Sequence, residues 1–305
     1  MRLVTRSDFD GLGCAAILKE QAIIDDIKFV HPKDIQDGKI EITSDDILAN
    51  IPFVPGCGLW FDHHSSELER KAFGDYEGKS EPSAPSAARV VYEYYGGLDH
   101  FKNQHLDDLV IAVDKADSAR FSKEEILMPE GWELLSFIMD PRTGLGRYKD
   151  YRISNYALML DMIDYCRTKT AEEILEIQDI KERTTRYFEQ DKLFRDMLSQ
   201  NSKMQGNVVV TDLRNQDEIY TGNRFLLYSL FPNANVSMQI MWGFKRQNIV
   251  ITCGYSIINK TATVDVGSLM LEYGGGGHKR VGTCQVPIED ADEIIEDIVT
   301  QLNII

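Results

Sequence analysis

Cysteine is scarce in this chain, and Cys14, Cys57, Cys166, Cys253 and Cys284 are scattered with no C-x-x-C pair among them. Neither a disulfide framework nor a thiolate zinc site is indicated, and a reducing cytoplasm is the expected setting. Positive charge is also short: 33 Lys and Arg stand against 49 Asp and Glu, a formal net charge of −16. Duplex nucleic acid is bound through many cationic contacts to phosphate, so it is not an expected partner. A phosphate-bearing ligand would have to be held locally, by a small cationic patch, by metal ions or by backbone N–H groups. Long apolar runs are missing as well. Nothing approaches the ~20 residues a membrane span needs, and "MRLVTRSDFDG" lacks the apolar core of a signal peptide. Neither a membrane partner nor an export signal is expected.

What is present reads as an ordinary globular composition, 43% hydrophobic and 27% charged over 305 residues. That length predicts two domains. "MRLVT" is β-prone and "LGCAAILKEQA" has helical spacing, a strand–turn–helix start. "IDDIKFVHP", "DDILANIPF" and "GLWF" supply further strands, "SAARVVYEYYG" a short helix, and "HLDDLVIAVDKAD" a helix end or a strand. This alternation predicts an α/β domain over residues 1–169, a parallel sheet with helices on both sides.

From Thr170 the pattern turns helical. Thr170 and Glu173 have capping-box spacing, and Ile174, Ile177, Ile180, Tyr187, Phe188, Phe194 and Leu198 recur mostly at helical intervals. One long helix or two should link the domains over residues 170–203. Strand-like runs such as "VVVTDL", "NVSMQIMWGF", "NIVITCGYSI" and "CQVPI" then predict a smaller mixed α+β domain over residues 204–305.

Ligands of α/β sheets collect at the carboxyl ends of the strands. Three acidic clusters are expected at such ends: Asp8 with Asp10, Asp62-His63-His64 after "GLWF", and Asp114 with Asp117 after "LVIAV". Any one of them alone reads more readily as a helix cap, a solvated turn or a coincidence. Converging on one crevice, they would repel one another without a cation. Carboxylate oxygen mixed with imidazole suits Mn²⁺, with Mg²⁺ or another divalent ion as alternatives. Near the far end, Gly274 to Gly277 followed by His278, Lys279 and Arg280 would let backbone N–H groups approach phosphate, with local positive charge beside them. Standing alone, that stretch would be a tight turn before a strand.

The motifs "SDFDG", "FDHHSSE", "APSAARVVYEYYG" and "VDKADSARF", with "YGGGGHKRVGTC" some 210 residues after the His pair, resemble those of the DHH phosphoesterases and their associated C-terminal domain. The likeness spans residues 1–120 and about 205–290. It implies a parallel-sheet catalytic domain, a helical linker and a smaller substrate-binding domain, and a divalent-metal phosphohydrolase of the oligoribonuclease or exopolyphosphatase type. Carried over, it makes Asp8, Asp10, His63 and Asp117 metal ligands, with Asp114 competing for the last place. His64 and Asp62 become the catalytic pair, His64 facing the substrate phosphate and Asp62 orienting a histidine. Gly275, Gly276, Gly277, His278, Lys279, Arg280 and Ser256 become substrate-binding residues.

The chain departs from the family pattern in two places. A histidine usually precedes the first Asp-x-Asp, where this chain has Val4 and Arg6. An aspartate at the second strand end is replaced by Asn50, with Asp45 or Asp46 as substitutes under another alignment. One metal position therefore keeps Asp10, His63 and Asp117, while the other is reduced to Asp8 and the Asn50 amide, with Arg6 as a stand-in cation. The expected partner is a small phosphate-bearing molecule held between the domains, a short single-stranded oligonucleotide among the options. A homodimer is compatible with the sequence. The competing reading is a nucleotide- or polyphosphate-binding regulator that has lost turnover.

Overall fold

The computed structural model describes residues 1–64 and 75–303. Ser65, Ser66 and Glu67 of the double-histidine motif lie outside the described residues. The chain packs as two compact units, residues 1–121 with 129–187, and residues 122–128 with 188–305.

The first unit is built on a five-stranded sheet of order β2-β1-β3-β4-β5. Its strands are β1 (Arg2–Arg6), β2 (Asp26–Val30), β3 (Asp46–Ala49), β4 (Leu59–Asp62) and β5 (Gly78–Ser80), all parallel. Leu3, Val4, Ile47, Leu48, Trp60 and Phe61 are fully buried, so both sheet faces are covered and the strands read as continuous apolar runs. On one face Val4, Leu48 and Trp60 pack with Ile35, from the short helix Pro32–Gln36, and with Ile51, just past β3. The thick helical layer is built around α1 (Phe9–Glu20), which touches α2 (Ala87–Tyr94), α3 (Gln104–Asp117) and α4 (Asn155–Thr168). Helix α1 is buried all round from Phe9 to Leu18, which its small residues Gly11, Gly13, Ala15 and Ala16 permit. "LVIAV", which the sequence leaves open as a helix end or a strand, lies inside α3. Its 14 residues begin on Asn103, whose side chain accepts from His105 N–H, and that cap commits the whole run to helix.

From β1 the chain crosses first to one neighbour and then to the other. The reversal opens a crevice at the carboxyl ends of β1 and β3, where such sheets bind ligands.

The helical stretch from Thr170 is two helices. Ala171–Leu175 has a complete capping box between Thr170 and Glu173, and α5 (Gln178–Asn201) follows. The second unit contains a six-stranded sheet of order β10-β11-β9-β8-β7-β6, comprising β6 (Ser202–Gln205), β7 (Val208–Asp212), β8 (Val236–Trp242), β9 (Ile249–Tyr255), β10 (Gly276–His278) and β11 (Val281–Val286). Only β7 and β8 run parallel. Burial alternates along β8 and β9, and the inward residues pack with α6 (Val266–Glu272) and α7 (Ala291–Leu302). Among the described residues no helix is long and apolar enough to cross a membrane.

Candidate metal centre and catalytic histidine

Asp8 caps α1, its Oδ1 accepting from Gly11 N–H at 2.9 Å. Gly11 is required there: a Cβ would sit 2.1 Å from the carbonyl oxygen of Arg6, so only glycine lets α1 start this close to the end of β1. One turn along, Asp10 is buried, and its two oxygens accept from Ala87 N–H at 2.9 Å and Ala88 N–H at 2.7 Å. Those amides open α2, which Ser86 caps by accepting from Arg89 N–H at 3.0 Å. A carboxylate at a helix N-terminus is stabilised by up to ~2 kcal/mol.

That help is smaller than the opposing repulsion. Ligand atoms of Asp10, His63 and Asp117 all lie within 4.8 Å of one another. Two carboxylates ~4 Å apart repel by about 4 kcal/mol at an effective permittivity of 20. Burial, then the charges of Asp117 and Asp8, push the Asp10 carboxyl well above its ordinary value. Burial also raises Asp117, with His63 opposing and Asp8 adding to the rise.

His63 completes the group. Its Nδ1 lies 3.2 Å from the Ala84 carbonyl and donates to it, which fixes the orientation of the ring. Its Nε2 faces the two carboxylates, 3.2 Å from Asp117 and 3.6 Å from Asp10. It is buried, with no hydrogen-bond partner among the described residues. Ring nitrogen and two carboxylates together offer three ligand atoms to one cation. The donor set and its backbone-held imidazole fit a divalent ion.

His64 stands beside this group, its ring centroid 4.6 Å from that of His63 and the planes crossed at 65°. Side chains alternate across a strand, which predicts that the two rings face opposite ways, but β4 ends at Asp62, so the rule stops applying one residue earlier. His64 Nδ1 lies 2.7 Å from Oδ1 of Asp62, which is almost fully buried. Burial works against the charged ring. The Asp62 hydrogen bond and the charges of Asp62, Asp117 and Asp10 outweigh it and hold His64 above its ordinary value.

Asp8 is placed differently. Arg6 Nε lies 3.0 Å from its Oδ2, and the Asn50 amide donates to Oδ1 at 3.0 Å. Asn50 sits in the left-handed region at φ 57°, just past the carboxyl end of β3. Asp46 lies at the opposite end of β3, bound by Arg2 through contacts of 2.6 and 2.9 Å, and does not reach the crevice. Asp114 is not brought into the group either. Ser86 donates to its Oδ1 at 2.7 Å and Arg89 to its Oδ2 at 2.7 and 2.9 Å. It braces the start of α2, the element that holds Asp10.

The sequence reading missed that brace, and also Arg142, whose guanidinium feels the charges of Asp8 and Asp117 after those of Asp140. "APSAAR" carried a signal for the first, a Ser cap ahead of two small residues. Arg142 lies in the short 3-10 turn Pro141–Thr143, whose Asp140 cap, leading Pro141 and closing Gly144 mark a turn and say nothing of a site.

A solved pGpG-specific phosphodiesterase, PggH from Vibrio cholerae, is 48% identical over 99% of this chain and 98% of its own, with a TM-score of 0.86. The chain belongs to the DHH phosphoesterase family. Its DHH relatives at lower identity share the fold. An exopolyphosphatase-related protein from Bacteroides fragilis is 12% identical over 99% of this chain and 92% of its own, TM-score 0.55. RecJ from Thermus thermophilus, solved in complex with Mn²⁺, is 12% identical over 99% of this chain and 52% of its own, TM-score 0.52. No protein-family model and no curated protein matches the sequence. The chain is a metal-dependent phosphoester hydrolase.

In the second unit of this DHH protein the glycine stretch is an edge strand, not an open loop. Gly276, Gly277 and His278 pair antiparallel with Thr283, Gly282 and Val281, and Lys279 and Arg280 turn the hairpin, both exposed. A Cβ on Gly277 would meet the Val281 carbonyl oxygen at 2.2 Å, and one on Gly267 of α6 would meet Gly277 at 2.8 Å. Glycine lets the hairpin close against that helix. Gly275 is equally confined, by Thr283 and Cys284, whereas a Cβ on Gly276 would meet nothing. Ser256 is buried, its Oγ accepting from the N–H groups of Ile258 and Asn259 at 3.2 and 3.0 Å. Trp242 and Tyr255 pack against the core of this unit, and Phe244 is exposed.

Proposed function

We propose that the chain hydrolyses short 5′-phosphorylated oligonucleotides, with pGpG as its preferred substrate, using one Mn²⁺ ion held by Asp10, His63 and Asp117. The observation that carries the substrate is the 48% identity, end to end, with a pGpG-specific phosphodiesterase. When bound, the ion supplies positive charge to the phosphoryl oxygens and lowers the pKa of water. Mn²⁺ accepts the mixture of imidazole and carboxylate more readily than Mg²⁺ does.

The side chains supply the rest. Asp62 orients His64 through Nδ1 and favours its protonated form, leaving Nε2–H as a proton donor. Water adds to phosphorus, the P–O3′ bond breaks, and His64 gives its proton to the departing 3′ oxygen. The proton lost by the water restores the ring, and pGpG becomes two molecules of pG. Arg6, paired with Asp8 and 39% exposed, sets a second positive charge beside the reacting phosphate. The exposed hairpin with His278, Lys279 and Arg280 binds phosphate in the second unit.

Purified protein incubated with pGpG and Mn²⁺ should release GMP, followed by chromatography. A chain that takes up one ion and binds pGpG yet releases no GMP would be the regulator instead, a reading favoured only by the neutralised state of Asp8.

A further inference from the structure

The helix Gly131–Met139 and the 3-10 turn Pro141–Thr143 after it lie against the elements that carry the carboxylates. At the first turn of the helix the Trp132 ring stands 6.2 Å from that of Phe9, the residue between Asp8 and Asp10. Glu133 pairs with the ammonium of Lys115, two residues before Asp117. At the far end Asp140 and Pro141 line one cavity of about 170 Å³ together with Ser7, the neighbour of Asp8. Both ends of the segment are thus fixed by residues within two positions of Asp8, Asp10 or Asp117.

Arg142 rides on that far end. The turn beneath it is held in place: Thr143 Oγ1 donates to the Phe137 carbonyl at 2.6 Å, and Gly144 closes the turn at φ 93°. Asp140 Oδ1 accepts from the Arg142 backbone N–H at 2.9 Å and from its Nε at 2.8 Å. The guanidinium is therefore gripped by one edge. Its Nη1 and Nη2 have no hydrogen-bond partner among the described residues, and the side chain is 62% exposed.

The charges of Asp8 and Asp117 reach this guanidinium after that of Asp140. Exposed charges act on one another over roughly 10 Å. Arg142 stands near both acids and pairs with neither, so its fork is unspent. Two parallel N–H donors match two oxygens of one phosphate, which a compact ammonium cannot do.

We propose that Arg142 is a ligand of the reacting phosphate, its Nη1 and Nη2 donating to the non-bridging oxygens. The inference rests on the phosphodiesterase reading and deepens it by naming a substrate-binding residue of the first unit that neither holds the ion nor pairs with Asp8.

The test measures kcat and KM for pGpG and for GpG, which lacks the terminal phosphate, on the Mn²⁺-loaded full chain. Arg142→Gln should lower kcat/KM by about ten- to a hundredfold, the worth of hydrogen bonds to a charged group, and equally for the two substrates. Arg142→Lys keeps the charge and loses the fork, so it should recover part of the loss. Mn²⁺ content and melting temperature should stay at wild-type values in both variants. Equilibrium dialysis against inorganic phosphate reads the same contact without turnover, and Arg142→Gln should bind it about tenfold more weakly than wild type. Undiminished kcat/KM in Arg142→Gln, a loss confined to pGpG, or a loss that comes with released Mn²⁺ or lowered melting overturns the proposal. Absence of any dinucleotide turnover in wild type would sink the phosphodiesterase reading alone, because the two phosphate affinities still decide for or against Arg142, equal values counting against it.

Discussion

The two carboxylates that open α1 stand two residues apart and lead different lives. Asp10 meets another carboxylate and the His63 ring, and among the described residues two backbone N–H groups donate to it. Asp8 has a guanidinium on one oxygen and an amide and a helix N–H on the other. The first corner is short of positive charge and the second carries its own. On the proposed reading the two positions divide: Asp10, His63 and Asp117 would hold an ion, and Arg6 would stand in for one beside Asp8.

Removing the demanding corner should have the largest effect. Asp10→Ala should lower pGpG hydrolysis by about 10³-fold or more, because the charge stabilisation supplied by the ion is worth several kcal/mol. It should also abolish tight Mn²⁺ uptake, read by elemental analysis after gel filtration. Full uptake in this variant would mean that the ion sits elsewhere. His64→Ala should cost about 10²- to 10⁴-fold in kcat, the range for a positioned proton donor, while one ion per chain remains bound. That split between activity and uptake separates the neighbouring histidines, since His63→Ala should lose both.

Arg6 sharpens the comparison from the other side. Wild type should bind one Mn²⁺ per chain. The double variant Arg6→His, Asn50→Asp replaces a guanidinium and an amide with an imidazole and a carboxylate, so it should bind two, visible as spin coupling in the electron paramagnetic resonance spectrum. A wild-type chain that already binds two coupled ions would show that Arg6 does not exclude the second.

Much of this division was legible beforehand because it depends on residue identity at strand ends, which a strand–turn–helix pattern locates well. "SDFDG" and "ILANIP" gave Asp8, Asp10 and Asn50 their places through the turns that follow β1 and β3. Asp114 misled because "LVIAV" fits a buried strand and a buried helix equally, and only the cap at Asn103 and the packing on α1 decide between them. On the helix, Asp114 meets Arg89 and Asp117 meets His63. The guanidinium partners of Asp8 and Asp114 were out of reach of pattern reading, since nothing in local spacing says which arginine a carboxylate will find. The glycine stretch reads in sequence as an approach for phosphate or as a tight turn before a strand, whereas the structure pairs it as an edge strand, where the close approach of α6 makes glycine the residue that fits.

Asp114→Asn probes the brace and not the metal. It removes a charged partner from Arg89 and weakens the hold on the start of α2, so a loss of about 1–3 kcal/mol in stability is expected, with a Mn²⁺ stoichiometry still at one. A large drop in stoichiometry with unchanged melting would return Asp114 to the ligand set.

The smallest effect is expected at the far end of β3, where Asp46 and Arg2 form a pair remote from the crevice. Burial alone would raise the Asp46 carboxyl, but the hydrogen bonds and charge of Arg2 and the Thr43 N–H outweigh it and hold it below its ordinary value. A carboxylate with a depressed folded-state pKa binds protons more readily when unfolded. Its stabilisation is therefore complete above the unfolded value of about 3.9 and fades as pH falls through the lower folded value. Because Arg2 is partly exposed, the pair is worth less than a buried one, about 1–2 kcal/mol. The stability gap between wild type and Asp46→Asn should be full near neutrality and close below about pH 4, read by urea unfolding at several pH values. A gap independent of pH would mean that the variant loses packing and not charge. A fall in pGpG turnover beyond the unfolded fraction would place Asp46 nearer the chemistry than the register of β1 and β3 allows.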